Sequence, residues 1–94
     1  MYVILVYDIN LEDKVGQKVL RNVFKLCKKY LVHIQNSVFE GEITESQLLR
    51  LKSELNCYIR DNLDSVIVFK SRSIKWLNKE FLGKVEDDKT SNFL

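Results

Sequence analysis

The 94-residue sequence has no proline, three glycines, two cysteines and a single histidine, and each scarcity excludes something. With so few glycines and no glycine-rich motif, a backbone loop that cradles nucleotide phosphates is not expected. The two cysteines lack C-x-x-C spacing, so neither a zinc cluster nor a disulfide framework is expected. Cys27 and Cys57 each fall on the apolar side of a helical pattern and read as small buried thiols in a reducing cytosol. His33 belongs to no Ser-His-Asp or Cys-His set recoverable from spacing, and reads first as a strand histidine with an ordinary hydrogen bond. No apolar run approaches the ~20 residues of a membrane span. The run from Tyr2 to Tyr7 has neither a basic region before it nor a small-residue cleavage site after it, which argues against a signal peptide. A cytoplasmic protein that makes no membrane contact is expected. Without prolines, repeats or low-complexity stretches there is no linker. The expectation is one domain over residues 1–84 and a polar tail over residues 85–94 that finishes in the apolar pair Phe93-Leu94.

What is present fits a small folded domain. Hydrophobic residues make up 46% and charged residues 30%, a balance that excludes general disorder. A chain this short buries roughly 60–65% of the surface its unfolded form exposes, so pairing with a second copy would widen a thin stability margin. The net charge of +2 names no partner, but its distribution is uneven. Lys14, Lys18, Arg21, Lys25, Lys28 and Lys29 fall in a stretch without a single acidic residue, while Glu86, Asp87 and Asp88 sit in the tail and mask the asymmetry.

The run Tyr2 to Tyr7 is continuously apolar, β-branched and aromatic, as expected of a central strand buried on both faces. Asp8, Asn10, Glu12 and Asp13 break it and supply capping groups. From Lys14 the period becomes 3.6, with Val15, Val19, Val23, Leu26, Cys27 and Tyr30 on one stripe and the basic residues opposite, an amphipathic helix. Leu31 to Gln35 and Ser37 to Glu42 read as two strands joined tightly at Asn36. Thr44 with Gln47 three residues on is a capping box opening a helix whose apolar face is Leu48, Leu51, Leu55 and Ile59. Ser65 to Phe69 gives a fourth strand. The order β-α-β-β-α-β is the split βαβ, ferredoxin-like arrangement of the α+β class, with both helices on one sheet face and the other face in need of a partner. Ile74, Leu77 and Phe81 satisfy helical spacing, so pattern alone favours a short helix there.

Position leaves two roles open for Asp8. It can cap the first helix, or it can bind a metal. One carboxylate holds a hard divalent cation poorly, but two, one from each chain across a two-fold axis, can share Mg²⁺ or Mn²⁺ with waters completing the octahedron. Such a cation offsets charge on a phosphoryl group and acidifies a coordinated water, the chemistry of a phosphodiesterase. The basic helix stripe is either a solvated face or a surface for nucleic-acid phosphates.

The strand ending Tyr7-Asp8-Ile9, the basic helix and above all His33-Ile34-Gln35-Asn36-Ser37-Val38-Phe39-Glu40 resemble the second CRISPR-associated protein family, the small partner of the CRISPR integrase. Its usual pattern in that block is Arg-Val-Gln-x-Ser-Val-Phe-Glu. The resemblance implies a ferredoxin-like homodimer whose sheets face each other, with a C-terminal fifth strand exchanged onto the partner. Ile74 to Leu82 is therefore expected to be extended rather than helical. It also implies that Asp8 of each subunit ligates one shared Mg²⁺ or Mn²⁺, with metal-dependent cleavage of single-stranded RNA or duplex DNA. Alternatively it implies a structural role in spacer acquisition, in which the dimer supports duplex DNA of the protospacer beside the integrase. Tyr7, Asp8 and Phe39, and less directly Lys18 and Arg21, occupy family positions. Lys14, Lys18, Arg21 and Lys25, with Tyr7, His33 and Phe39, are the expected nucleic-acid contacts. His33 departs from the family's arginine and replaces a permanently charged bidentate fork with a side chain mostly neutral at pH 7. A ribonuclease toxin of the virulence-associated type shares this fold and is a further alternative. An RNA-recognition module, which displays aromatics on its sheet for bases to stack on, is disfavoured.

Overall fold

The computed structural model describes residues 1–84. β1 (Tyr2–Asp8) is followed by α1 (Lys14–Tyr30), β2 (Val32–Gln35), β3 (Val38–Glu42), α2 (Glu45–Asn56), β4 (Ser65–Ser71) and a 3₁₀ turn at Ile74–Trp76. The sheet order is β2-β3-β1-β4, antiparallel throughout, and this is the ferredoxin-like fold expected from the sequence. No helix among the described residues is long and apolar enough to cross a membrane.

β1 is central because it is apolar in both directions. Leu5 pairs with Phe39 on one side and Val68 on the other. Val3, Leu5 and Tyr7 point beneath the helices, where they pack with Val19, Val23 and Cys27 of α1, Phe39 of β3, and Leu48, Leu51 and Leu55 of α2. Burial pushes the Cys27 thiol up to about 12, so it stays protonated and inert. α2 opens on the anticipated reciprocal cap, in which Thr44 accepts from Gln47 N and the Gln47 side chain accepts from Thr44 N. The turn at Asn36 holds a φ of 39°, a left-handed conformation that asparagine tolerates better than most residues.

The opposite sheet face is partly open. Ile67 is 53% and Phe69 56% exposed, and both lie beside β1 on the face carrying Ile4, Val6 and Asp8. At the Tyr2 end the chain after β4 folds back over this face. Lys79 forms an ion pair with the buried Glu40, and Leu77 lines a small depression with Tyr2, Ile4 and Phe69.

Two expectations need correction. Cys57 is exposed, because it caps the C-terminus of α2, beyond the turns that face the core. Val15 is exposed as well, since Gly16 rather than Val15 faces inward in the first turn of α1. The stretch Ile74 to Leu82 is a 3₁₀ turn at Ile74–Trp76 and then irregular chain; a fifth strand exchanged onto a partner would pair with an edge that belongs to another subunit and not to this chain. The apolar Phe93-Leu94 end lies outside the described residues.

Candidate nucleic-acid and metal site at the end of the first strand

Asp8 is the last residue of β1 and is exposed. It does not cap α1. That role falls to Asp13, whose Oδ1 accepts from Gly16 N at 2.8 Å, and the Arg60 guanidinium joins this bond in holding the Asp13 carboxyl below the usual carboxylate range. Among the described residues the Asp8 carboxylate takes part in no hydrogen bond or ion pair. It is free to bind something.

A cavity of about 560 Å³ opens beside it, lined by Tyr7, Asp8, Leu20, Arg21, Phe24 and Lys25, with Asn36 and Ser37 of the β2–β3 turn. The turn is tied to the strand by a bond from Tyr7 N to the Ser37 carbonyl at 3.2 Å. Arg21 and Lys25, one helical turn apart, therefore face the same space as Asp8. The cavity thus sets two cations and one unpaired carboxylate against a lining that is otherwise largely apolar, from Tyr7, Ile9, Leu20 and Phe24.

The expected residues separate into groups. Asp8, Tyr7, Arg21 and Lys25 are brought together. Lys14 and Lys18 are exposed on the same helix but outside the cavity, continuing its cationic stripe toward the N-terminus. His33 is not in the cavity. Its Nε2 donates to the Asn36 carbonyl at 2.9 Å, and its ring packs edge-on against Phe24 and tilted against Phe39. It braces the turn, as the plain reading of a strand histidine anticipates. Phe39 as a nucleic-acid contact is overturned, because it is fully buried beneath Tyr7, Phe24 and His33 and has no surface to offer. Tyr7 is nearly as buried, and burial raises its pKa, so it remains a phenol at neutral pH and supplies no base.

One arrangement was missed from the sequence. The Arg60 guanidinium grips both oxygens of Asp64 at 2.9 and 3.0 Å, and it also reaches the Asn10 carbonyl at 2.7 Å and Asp13 Oδ1 at 3.1 Å. Asp64 Oδ1 in turn accepts from Asn10 N at 2.9 Å. The loop leaving Asp8 is thus clamped to the connection entering β4, whose first residue Ser65 pairs with Asp8. Gly16 lets the loop seat on α1, since a Cβ there would lie 2.0 Å from the Asn10 carbonyl oxygen. The available signal was Arg60 and Asp64 at i,i+4, which reads as an ordinary surface pair.

For a divalent metal, no group of three or more His, Cys, Asp or Glu side chains exists among the described residues. The donor set of one chain is a single hard carboxylate. It fits such an ion when a second copy or a substrate phosphate supplies further oxygens, and Asp8 lies on the open sheet face where a second copy can approach.

The family model for CRISPR associated protein Cas2 matches residues 1–79. A CRISPR-associated endoribonuclease Cas2 of Fusobacterium nucleatum subsp. nucleatum is 57% identical over 94 residues, covering 100% of this chain and 87% of the relative. One from Moorella thermoacetica is 45% identical over 91 residues, covering 97% and 99%. The crystal structure of Streptococcus pyogenes Cas2 at pH 6.5 superposes with a TM-score of 0.77 at 36% identity, covering 88% of this chain and 100% of that one. With the fold, the Tyr7-Asp8 strand end and the Gln35-to-Glu40 block all in place, the chain belongs to the CRISPR associated protein Cas2 family.

Proposed function

We propose that this chain is a CRISPR-adaptation protein that acts as a homodimer on nucleic acid, with endonuclease activity toward RNA or duplex DNA that depends on Mg²⁺ or Mn²⁺ at Asp8. The observation that carries the reading is the unpaired Asp8 carboxylate beside Arg21 and Lys25, in a chain whose relatives bear the name endoribonuclease. Arg21 and Lys25 hold the scissile phosphate, and Asp8 of each subunit holds one shared ion. That ion, when bound, offsets phosphoryl charge and acidifies a coordinated water. The clamped loop fixes where Asp8 stands, and no side chain of the cavity serves as general base. Asp8→Asn is expected to abolish cleavage of RNA and duplex DNA in Mg²⁺ or Mn²⁺ while leaving the fold intact. Equal cleavage by both proteins would refute the catalytic role.

Dimerisation rests on the open face. Phe69→Asp at its centre is expected to shift the protein from dimer to monomer in sedimentation, since each large apolar side chain buried there contributes roughly 1.5–3 kcal/mol. A native protein that sediments as a monomer would remove the shared metal site.

A second reading is a duplex-DNA scaffold for the integrase that does not cut. It is favoured by the extension of the cationic stripe to Lys14 and Lys18, outside the cavity, and by His33 standing in the turn rather than beside Asp8. Spacer acquisition in cells carrying the integrase separates the two. Acquisition that survives Asp8→Asn supports the scaffold, and its loss supports the enzyme.

A further inference from the structure

The Asp8 carboxylate has no hydrogen-bond or ion-pair partner among the described residues, so its place is inherited from its backbone. That backbone is held on both sides. Asp8 pairs with Ser65 of β4. Two residues further on, both polar backbone groups of Asn10 are taken: its N–H donates to Asp64 Oδ1 at 2.9 Å, and its carbonyl accepts from Arg60 Nη2 at 2.7 Å. All three guanidinium nitrogens of Arg60 serve this junction. Nε and Nη2 grip Asp64, and Nη1 reaches Asp13 Oδ1 at 3.1 Å, the same oxygen that caps α1. Gly16 closes the knot from the helix side, where a Cβ would run into the Asn10 carbonyl oxygen and stand 3.1 Å from Arg60 Nη2. One side chain therefore ties the loop after β1, the start of α1 and the connection into β4 together, immediately behind Asp8.

We propose that Arg60 is a positioning residue for Asp8, acting on cleavage through the Asn10 peptide and from outside the cavity that Asp8 lines. The inference rests on the reading of Asp8 as the ligand of a shared ion. Metal ligands must stand within about 0.5 Å of their productive geometry. A two-fold axis makes the demand stricter, because a displacement of Asp8 in one subunit is repeated in the other. An ordinary ion pair needs only a cation beside Asp64, which lysine supplies. The clamp needs a planar fork that meets Asp64, Asn10 and Asp13 together, and the single nitrogen of lysine cannot do this.

Two variants separate positioning from stability. Arg60→Met combined with Asp64→Leu removes both charges of the pair, so the fold is expected to persist by circular dichroism. Its kcat for cleavage of RNA or duplex DNA in Mn²⁺ is expected to fall about 10- to 100-fold. KM is expected to stay within about twofold, because Arg21 and Lys25 are untouched. Arg60→Lys keeps the Asp64 charge paired and is expected to leave kcat equally low. In the metal-free Arg60→Lys protein, the Asn10 N–H is expected to exchange with solvent at least about tenfold faster than in the native chain, while the core amides of β1 stay protected. Native kcat in the double variant overturns the proposal. So does full recovery of kcat by lysine, and so does unchanged exchange at Asn10. Cleavage by Asp8→Asn at the native rate refutes the reading of Asp8 itself and the proposal with it. Loss of cleavage in Asp8→Asn beside native kcat in the double variant refutes the positioning role alone.

Discussion

Two carboxylates are buried among the described residues, and they are held in opposite ways. The Asp64 side chain is 0% exposed, and its oxygens are surrounded by Arg60 Nε and Nη2, Arg60 N and Asn10 N. Those donors come from the β1–α1 loop and the α2–β4 connection, both fixed at each end by regular structure. Glu40, 1% exposed, takes its cation from Lys79, in irregular chain that reaches back over the open sheet face. Burial of a charge without a partner is costly in both places. At Asp64 the partner cannot leave without unmaking the loop behind Asp8, whereas at Glu40 the partner stands in a segment that no strand pairing holds among the described residues. One end of the sheet is therefore built to hold a geometry, and the other is conditional on what lies over it.

The largest effect that tests this contrast is Arg60→Met, expected to cost about 3–5 kcal/mol in denaturant unfolding because it strands the Asp64 carboxylate. Arg60→Lys is expected to recover only part, lacking the planar fork. Lys79→Met is expected to cost less, roughly 1–3 kcal/mol, and the double change Glu40→Leu with Lys79→Met is expected to be nearly neutral. A Lys79→Met cost equal to that of Arg60→Met would erase the distinction. The smallest effect is in acid. Hydrogen bonds from Arg60 hold the Asp64 pKa at about 2, below its ordinary 3.8. Because the folded-state value is depressed, the stabilisation is complete above about pH 4 and is lost as pH falls toward 2. Unfolding midpoints measured across that window are expected to fall less steeply for Asp64→Asn than for the native chain.

The fold was legible wherever one local signal dominates. The unbroken apolar run made β1 central, the change of period located α1, and Thr44 with Gln47 set the start of α2. Asp8 was legible as a position, and the structure removed its competing role by giving the cap to Asp13. Illegible features depend on contacts between distant residues. Arg60 meets Asn10 across the fold, and no periodicity announces that. Phe39 stands in a recognisable block, yet burial makes it a support for His33 and Tyr7 rather than a contact. Cys57 shows the limit of helical phase near a helix end, where the apolar stripe continues on paper after the helix has stopped.

The sheet order also has a consequence for the order of synthesis. β1 leaves the ribosome before either strand it pairs with, and both neighbours come much later: β3 begins at Val38 and β4 at Ser65. At roughly 5–20 residues per second, this apolar segment spends seconds without its flanking strands. The strand that anchors the finished sheet is thus the nascent chain's longest-waiting adhesive surface, without the shelter of its own sheet in that interval.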